Sequence, residues 1–167
     1  MCMWMQNSLD VVLEQSGIRH TWVDHAPAYC AASSLKVLNR WGAPVLKTIL
    51  VHLPTGPALV VIPASMRLDL GRLEKIAAGS VRLGTSQEAW LLFPDCEFGA
   101  VPPIGKQYRL PSLWDASLLA LPQVMVRGNT SMRSFLVNPV ELAKLDDPIL
   151  VDGLATVVAR CAVRNSA

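Results

Sequence analysis

The stretch Val45-Leu46-Lys47-Thr48-Ile49-Leu50-Val51-His52-Leu53-Pro54-Thr55-Gly56-Pro57-Ala58-Leu59-Val60-Val61-Ile62 decides the fold. Its first half is rich in branched apolar residues, and its second, from Ala58, is an unbroken apolar run. Pro54-Thr55-Gly56-Pro57 supplies a turn between them, so the two runs read as a β-hairpin. In an extended chain Val45, Lys47, Ile49, Val51 and Leu53 share one face, and Leu46, Thr48, Leu50 and His52 share the other. Lys47 therefore stands among branched apolar side chains, where an unpaired ammonium is expensive to bury. It needs an anionic partner, a lowered pKa or access to a cleft. The alternative is a strand-end lysine whose stem lies along apolar surface while its head reaches water or a carboxylate.

Outward from the hairpin, helices and strands alternate without a regular pattern. Residues 8–16 read as a short helix with Ser8 as cap, Leu9, Val12 and Leu13 on one face, and Gly17 as terminator. A strand over 18–24 follows, then a helix over 28–40 stopped by Gly42 and Pro44. On the other side Asp69 caps a helix carrying Leu70, Leu73, Ile76 and Ala77. Thr85-Ser86-Gln87-Glu88 is a capping box that opens a helix ending near Pro94. Strands are expected around 109–114, 123–127 and 132–137, the last two joined through Gly128-Asn129. Asn138-Pro139 starts a helix over 140–145. Asp147-Pro148 then opens an amphipathic segment with Leu150, Leu154, Val157, Val158 and Cys161 at helical spacing. Gly153 within it weighs against a helix by about 1 kcal/mol relative to alanine. Hairpins mixed with separate helices indicate an α+β fold rather than a βαβ series.

Composition sets the outer limits. The chain has 167 residues, 51% hydrophobic and 17% charged, which suits one domain with a real core and excludes intrinsic disorder. No apolar stretch approaches the roughly 20 residues of a membrane span, and no basic region precedes an apolar run at the amino terminus, so no signal peptide is expected. Fifteen basic against thirteen acidic residues give +2, less than a non-specific nucleic-acid binder usually carries. Cys2, Cys30, Cys96 and Cys161 are scattered, with no C-x-x-C pair and no histidine at ligand spacing. A metal site or disulfide framework is not expected, and the cytoplasm is the natural compartment.

The segment Phe93-Pro94-Asp95-Cys96-Glu97-Phe98-Gly99-Ala100-Val101-Pro102-Pro103-Ile104-Gly105 carries the clearest chemical signal. Glycines flanking a tandem proline make a stiff loop in which backbone N–H groups can approach a ligand closely. Such amides suit a carbonyl oxygen or an oxyanion. A merely stiff surface connection is the plainer alternative. Cys96 is a poor nucleophile, because the flanking Asp95 and Glu97 disfavour its thiolate. The two carboxylates could bind a substrate ammonium or form a solvated loop edge.

Lys47, Val60-Val61-Ile62-Pro63-Ala64, Leu68-Asp69-Leu70-Gly71-Arg72-Leu73 and the loop from Pro94 to Gly105 resemble, in order and spacing, the YbaK-type aminoacyl-tRNA deacylases. That family includes the editing domain inserted in bacterial prolyl-tRNA synthetases. Gly99-Ala100-Val101-Pro102-Pro103 fits its G-x-x-x-P loop, and the resemblance runs over about 18–145, with 146–167 left as a C-terminal amphipathic extension of one 1–167 domain. It implies a single compact α+β domain with a twisted, mixed, partly barrel-like sheet flanked by helices. It also implies hydrolysis of the ester joining a wrong, small amino acid to the terminal adenosine of a tRNA, with no cofactor. Lys47 matches the lysine thought to hold the terminal nucleotide or its phosphate. Gly99 matches the glycine whose amide meets the aminoacyl carbonyl, with Ala100, Val101, Pro102, Pro103 and Gly105 shaping the site beside it. An aminoacyl ester is already activated, so placing water and stabilising the oxyanion suffice, one donor being worth roughly 2.7–4 kcal/mol.

Relatives often carry a histidine after the first strand, where this chain has His25, a pocket residue or a hydrogen-bonded structural one. Many also carry a histidine after a glycine in the late hairpin, where this chain reads Gly128-Asn129-Thr130-Ser131. That departure keeps a rival open: a non-catalytic module of the same fold that binds a tRNA end or a synthetase. The expected partners are the acceptor end of an aminoacyl-tRNA and, further, a synthetase, with no membrane. The five tryptophans are expected to pack the core, with Trp114 at a strand end a candidate for stacking on adenine.

Overall fold

The computed structural model describes residues 8–157. In chain order the elements are α1 (Leu9–Gln15), β1 (His20–Asp24), α2 (Ala31–Leu38), β2 (Leu46–Leu53), β3 (Gly56–Pro63), β4 (Met66–Leu68), α3 (Leu70–Ala77), β5 (Arg82–Leu83) and α4 (Ser86–Leu92). There follow β6 (Ser112–Asp115), β7 (Val124–Arg127), β8 (Arg133–Val137), α5 (Pro139–Asp146), β9 (Ile149–Val151) and β10 (Ala155–Val157).

The hairpin at the centre of the sequence is also the centre of the fold. β2 and β3 pair antiparallel from Leu46 opposite Pro63 to Leu53 opposite Gly56, so the turn is only Pro54-Thr55. They sit inside a five-stranded mixed sheet ordered β5-β2-β3-β6-β9, in which β6 runs parallel to both β3 and β9. β1, β8 and β7 form an antiparallel three-stranded sheet, and β10 pairs antiparallel with β4. A parallel bridge from Val45 to Met125 joins the first two sheets. The result is a curved, open arrangement and not a closed barrel.

Residues 58–62 are all buried, because both faces of β3 are covered. Val61, with Leu46 and Trp114, packs against Val124, Val126 and Phe135 of the second sheet and against Leu9 and Leu13 of α1. Val60 and Ile62 pack on the opposite side with Leu73 of α3 and Leu154. Each fully buried aliphatic side chain of this kind contributes roughly 1.5–3 kcal/mol.

Helix starts follow the local sequence. Asp69 accepts the Arg72 amide at 2.9 Å, Thr85 and Glu88 close a reciprocal capping box, and Asn138 accepts the amides of Val140 and Glu141 ahead of Pro139. Ser8 occupies the cap position of α1, yet its hydroxyl makes no capping bond. The Leu9 amide donates instead to Asn129 Oδ1, at 2.8 Å.

Four expectations are corrected. The segment after Asp147 is not helical: β9 and β10 flank a turn in which Gly153 has φ +69°. Leu154 is buried in the core of α3, while Arg72 Nε donates to the Asp152 carbonyl at 2.6 Å. Sheet pairing thus overrides the helical spacing, and Val158 and Cys161 lie outside the described residues. The strand near 109 begins only at Ser112, because Gly105–Tyr108 form a 3-10 turn that ends at Arg109 in the left-handed region. Ile76 is 45% exposed and does not share the burial of Leu73. The tryptophans do not all pack the core: Trp22, Trp41 and Trp90 are exposed, and Trp114 is fully buried, out of reach of any base.

Candidate active site

A cleft of about 620 Å³ opens on the Thr48 and Leu50 face of β2, within the size range of small-molecule sites. Leu50, with Leu59 of β3 and Phe93 after α4, forms its apolar floor. α4 supplies one wall through Ala89 and Trp90, and Tyr29 and Cys30 ahead of α2 supply the other. The lip is the loop from Cys96 to Val101.

That lip is a tight turn. The Ala100 amide donates to the Glu97 carbonyl at 3.0 Å, with Phe98 and Gly99 at the two central positions. Gly99 has φ +72°, the left-handed conformation a type II turn requires at its third residue. A Cβ there would lie 2.2 Å from the Tyr29 carbonyl oxygen, which is backbone and cannot swing aside. Glycine is demanded on both counts. The amides of Phe98 and Gly99 donate to no acceptor among the described residues.

Asn129 holds the loop in place. Its backbone exchanges two hydrogen bonds with the loop, Glu97 N–H to Asn129 O at 2.8 Å and Asn129 N–H to Ala100 O at 3.0 Å. Its buried side-chain Nδ2 donates to Asp95 at 3.1 Å and to the Tyr108 hydroxyl at 3.2 Å, while Oδ1 takes the Leu9 amide. Tyr108 in turn donates to Asp95 at 3.0 Å and stands edge-on to Phe93. Burial pushes the Cys96 thiol up to about 12, against the help of the Tyr108 hydroxyl, so at neutral pH it is an un-ionised thiol. Glu97 differs: the Ser131 hydroxyl and then the Ser131 amide, which donates to Oε2 at 2.7 Å, hold its carboxyl below the usual range.

The other expected site residues are distributed around this frame. Of the tandem-proline stretch, Gly99 and Val101 line the cleft, whereas Ala100, Pro102, Pro103 and Gly105 are buried behind or beside it. Gly105 is packed so closely that a Cβ would meet Ser112 Oγ at 2.4 Å. None of Gly128, Asn129, Thr130 and Ser131 lines the cleft. Gly128 lies flat against Phe135, Thr130 accepts the Arg133 amide, and Ser131 joins Glu97 to the Ala28 amide.

Lys47 lies outside the cleft as well. Strand alternation turns it to the side opposite Thr48 and Leu50, where its ammonium donates to the Met66 carbonyl at 2.5 Å. Burial, with Arg67 nearby, lowers its pKa. No carboxylate among the described residues forms an ion pair with it.

His25 is a hydrogen-bonded structural histidine and not a cleft residue. Its Nδ1 faces the Ala26 carbonyl at 2.8 Å and so carries the proton, leaving Nε2 to accept from Ser134 at 2.9 Å. Burial holds its pKa below the usual 6.5. The folded state then binds fewer protons than the unfolded chain just below pH 6.5, so stability falls as pH drops from 6.5 toward the folded-state value. A series of urea midpoints between pH 7.5 and 5 should show that fall, and the slope should flatten in His25→Gln.

Sequence reasoning missed the floor and walls, and also Arg127. This arginine is 5% exposed and donates to Ser34 Oγ and to the Ala28 carbonyl, both at 2.5 Å. It braces the segment bearing Tyr29 and Cys30 from behind. Its one signal was a cation ending an otherwise apolar Val-Met-Val run.

Comparison with known proteins decides the family. The aminoacyl-tRNA editing domain matches residues 25–145. The chain belongs to that family. Among solved structures, this editing domain resembles the hypothetical protein APE2540 with a TM-score of 0.77 and 22% identity, over 89% of this chain and 99% of that one. It resembles a candidate trans-editing enzyme for prolyl-tRNA synthetase with a TM-score of 0.71 and 26% identity, over 91% and 97%. A scaffold protein used in computational epitope grafting shares the fold at TM-score 0.74 and 22% identity, over 95% and 100%. No functionally curated protein matches the editing domain. None of its helices, among the described residues, is long and apolar enough to cross a membrane.

Proposed function

We propose that this editing domain hydrolyses the ester between a small amino acid and the terminal adenosine of a tRNA, by attack of water in the cleft. The observation that carries the reading is the pair of uncommitted amides at Phe98 and Gly99, held rigidly at the lip of an apolar cleft. Donors fixed before the reaction stabilise the tetrahedral oxyanion without reorganising as it forms. The un-ionised Cys96 thiol argues for water over a covalent route at that residue. Trp90 and Phe98 are 72% and 65% exposed at the rim, and base stacking on such faces is worth roughly 1–3 kcal/mol per base. They are the natural platform for the terminal adenine.

Lys47 uses one of its three N–H donors on the Met66 carbonyl and keeps two for a terminal phosphate, so an anchoring role there is separate from the ester-binding cleft. The test is release of radiolabelled amino acid from tRNAs mischarged with alanine, serine, cysteine, threonine or proline. Wild type should release one small amino acid quickly, and Cys30→Ala should retain that rate, which excludes a thioester through the second cleft thiol. In Lys47→Ala a raised KM with kcat kept identifies an anchor, whereas unchanged kinetics identify a lysine that only pins β2 to β4. If well-folded wild type cleaves no ester, the deacylase reading fails and the module that binds a tRNA end replaces it.

A further inference from the structure

The cleft is chemically lopsided. Of the residues lining it, Glu97 alone belongs to the Asp, Glu, Lys, Arg and His set. Its backbone is fixed by two bonds, the amide donating to Asn129 and the carbonyl accepting from Ala100, and its carboxylate is held by Ser131, whose amide donates to Oε2. Ser131 supplies its hydroxyl as well as its amide, and a carboxylate with about four lone-pair sites keeps room for a further donor. Arg127 lies near enough to favour the charged carboxylate, but it is buried and turned to Ser34 and Ala28, so it does not enter the cleft. A fixed, exposed carboxylate in an otherwise uncharged apolar cleft is complementary to a cation.

On an α-aminoacyl ester the one cation is the ammonium, and it sits on the carbon next to the carbonyl. A receptor for both groups must therefore offer an anion and an N–H donor within a few ångströms of each other. Glu97 and Gly99, the first and third residues of one tight turn, provide that pair. We infer that the Glu97 carboxylate receives the α-ammonium of the aminoacyl group, so that the cleft selects esters bearing a free amine over those whose amine is blocked. The inference deepens the proposed function and rests on it for the identity of the ligand. A charge-assisted hydrogen bond of this kind is expected to shift affinity about tenfold or more.

The probe is 3′-alanylamino-3′-deoxyadenosine, a non-hydrolysable amide, compared with its N-acetyl form. Binding of both is measured by calorimetry to wild type and to Glu97→Gln, whose side-chain oxygen can still accept the Ser131 amide. Wild type should bind the free amine at least tenfold more tightly, and Glu97→Gln should bring the two forms within about threefold while its melting temperature stays near that of wild type. Equal binding of the two forms by wild type overturns the inference, and so does a variant that weakens both equally, because that marks a purely structural carboxylate. Because the readout is binding, a failure of ester hydrolysis would count against the deacylase reading alone. In matched hydrolysis assays the same preference should appear between the fastest-cleaved aminoacyl-tRNA and its N-acetylated form.

Discussion

Gly99→Ala should lower the single-turnover rate of ester release by roughly 10²–10³-fold, the cost of losing one oxyanion donor, while leaving the protein folded. The added Cβ would stand 2.2 Å from the Tyr29 carbonyl oxygen. Neither partner can yield by rotating a side chain, so the turn must move away from α2 and take its amides with it. Alanine in the left-handed region costs a further 1–2 kcal/mol or so, which the buried core absorbs and circular dichroism melting would register as a modest shift. Substrate binding through the rim should survive, so the loss falls on kcat more than on KM. A wild-type rate in Gly99→Ala would remove the loop amides from the mechanism.

Asn129→Ala should be the more damaging substitution for stability. It leaves the first amide of α1 without its acceptor and takes a donor from Asp95 and from Tyr108. Buried polar groups left unpaired cost about 1–3 kcal/mol each, and alanine is unfavourable at φ +69°. A total of about 3–5 kcal/mol follows, which for a chain of this length lowers Tm by about 10 °C or more. Asn129→Gly separates the two contributions, because glycine accepts the backbone conformation but restores no hydrogen bond. Thermal melts of the two variants should lie close together and well below wild type. A glycine variant as stable as wild type would show that the side-chain bonds carry no weight. Ester release should fall in both, since Asp95 and Tyr108 lose the side-chain donor that ties them to the β7–β8 hairpin and only the two backbone bonds still hold the loop.

The difference between these residues explains how much was legible in the sequence. Gly99 could be found from its neighbours, because a turn glycine beside a tandem proline is a local signal. The β2–β3 hairpin, the Asp69 and Asn138 caps and the Thr85–Glu88 box were equally local, and the structure retains each. Asn129 was noticed as part of the turn joining two strands and of a departure from the family pattern, never as the residue that holds the loop. Its partners at positions 9, 95 and 108 come from elements that no short-range rule connects. The same limit hid the strands at 149–157, whose apolar spacing suits a helix until β6 and β4 arrive to pair with them. Lys47 shows a subtler failure. Alternation placed it correctly on the face opposite Thr48 and Leu50, but which face bears the cleft is decided by α4 and by the loop, both distant in sequence. Trp90 was hidden by the habit of counting tryptophans as core, and Phe98 lay in the loop without a role assigned to its ring.

The absence of any lysine, arginine or histidine from the cleft lining, among the described residues, also bears on what happens after the bond breaks. Hydrolysis turns the uncharged ester group into a carboxylate, which finds no cationic side chain in the cleft, only the neutral amides of Phe98 and Gly99, and meets the field of Glu97. The charge that the reaction creates thus weakens the hold on the product. A free amino acid carries that carboxylate already, so the cleft should hold it more weakly than the aminoacyl ester.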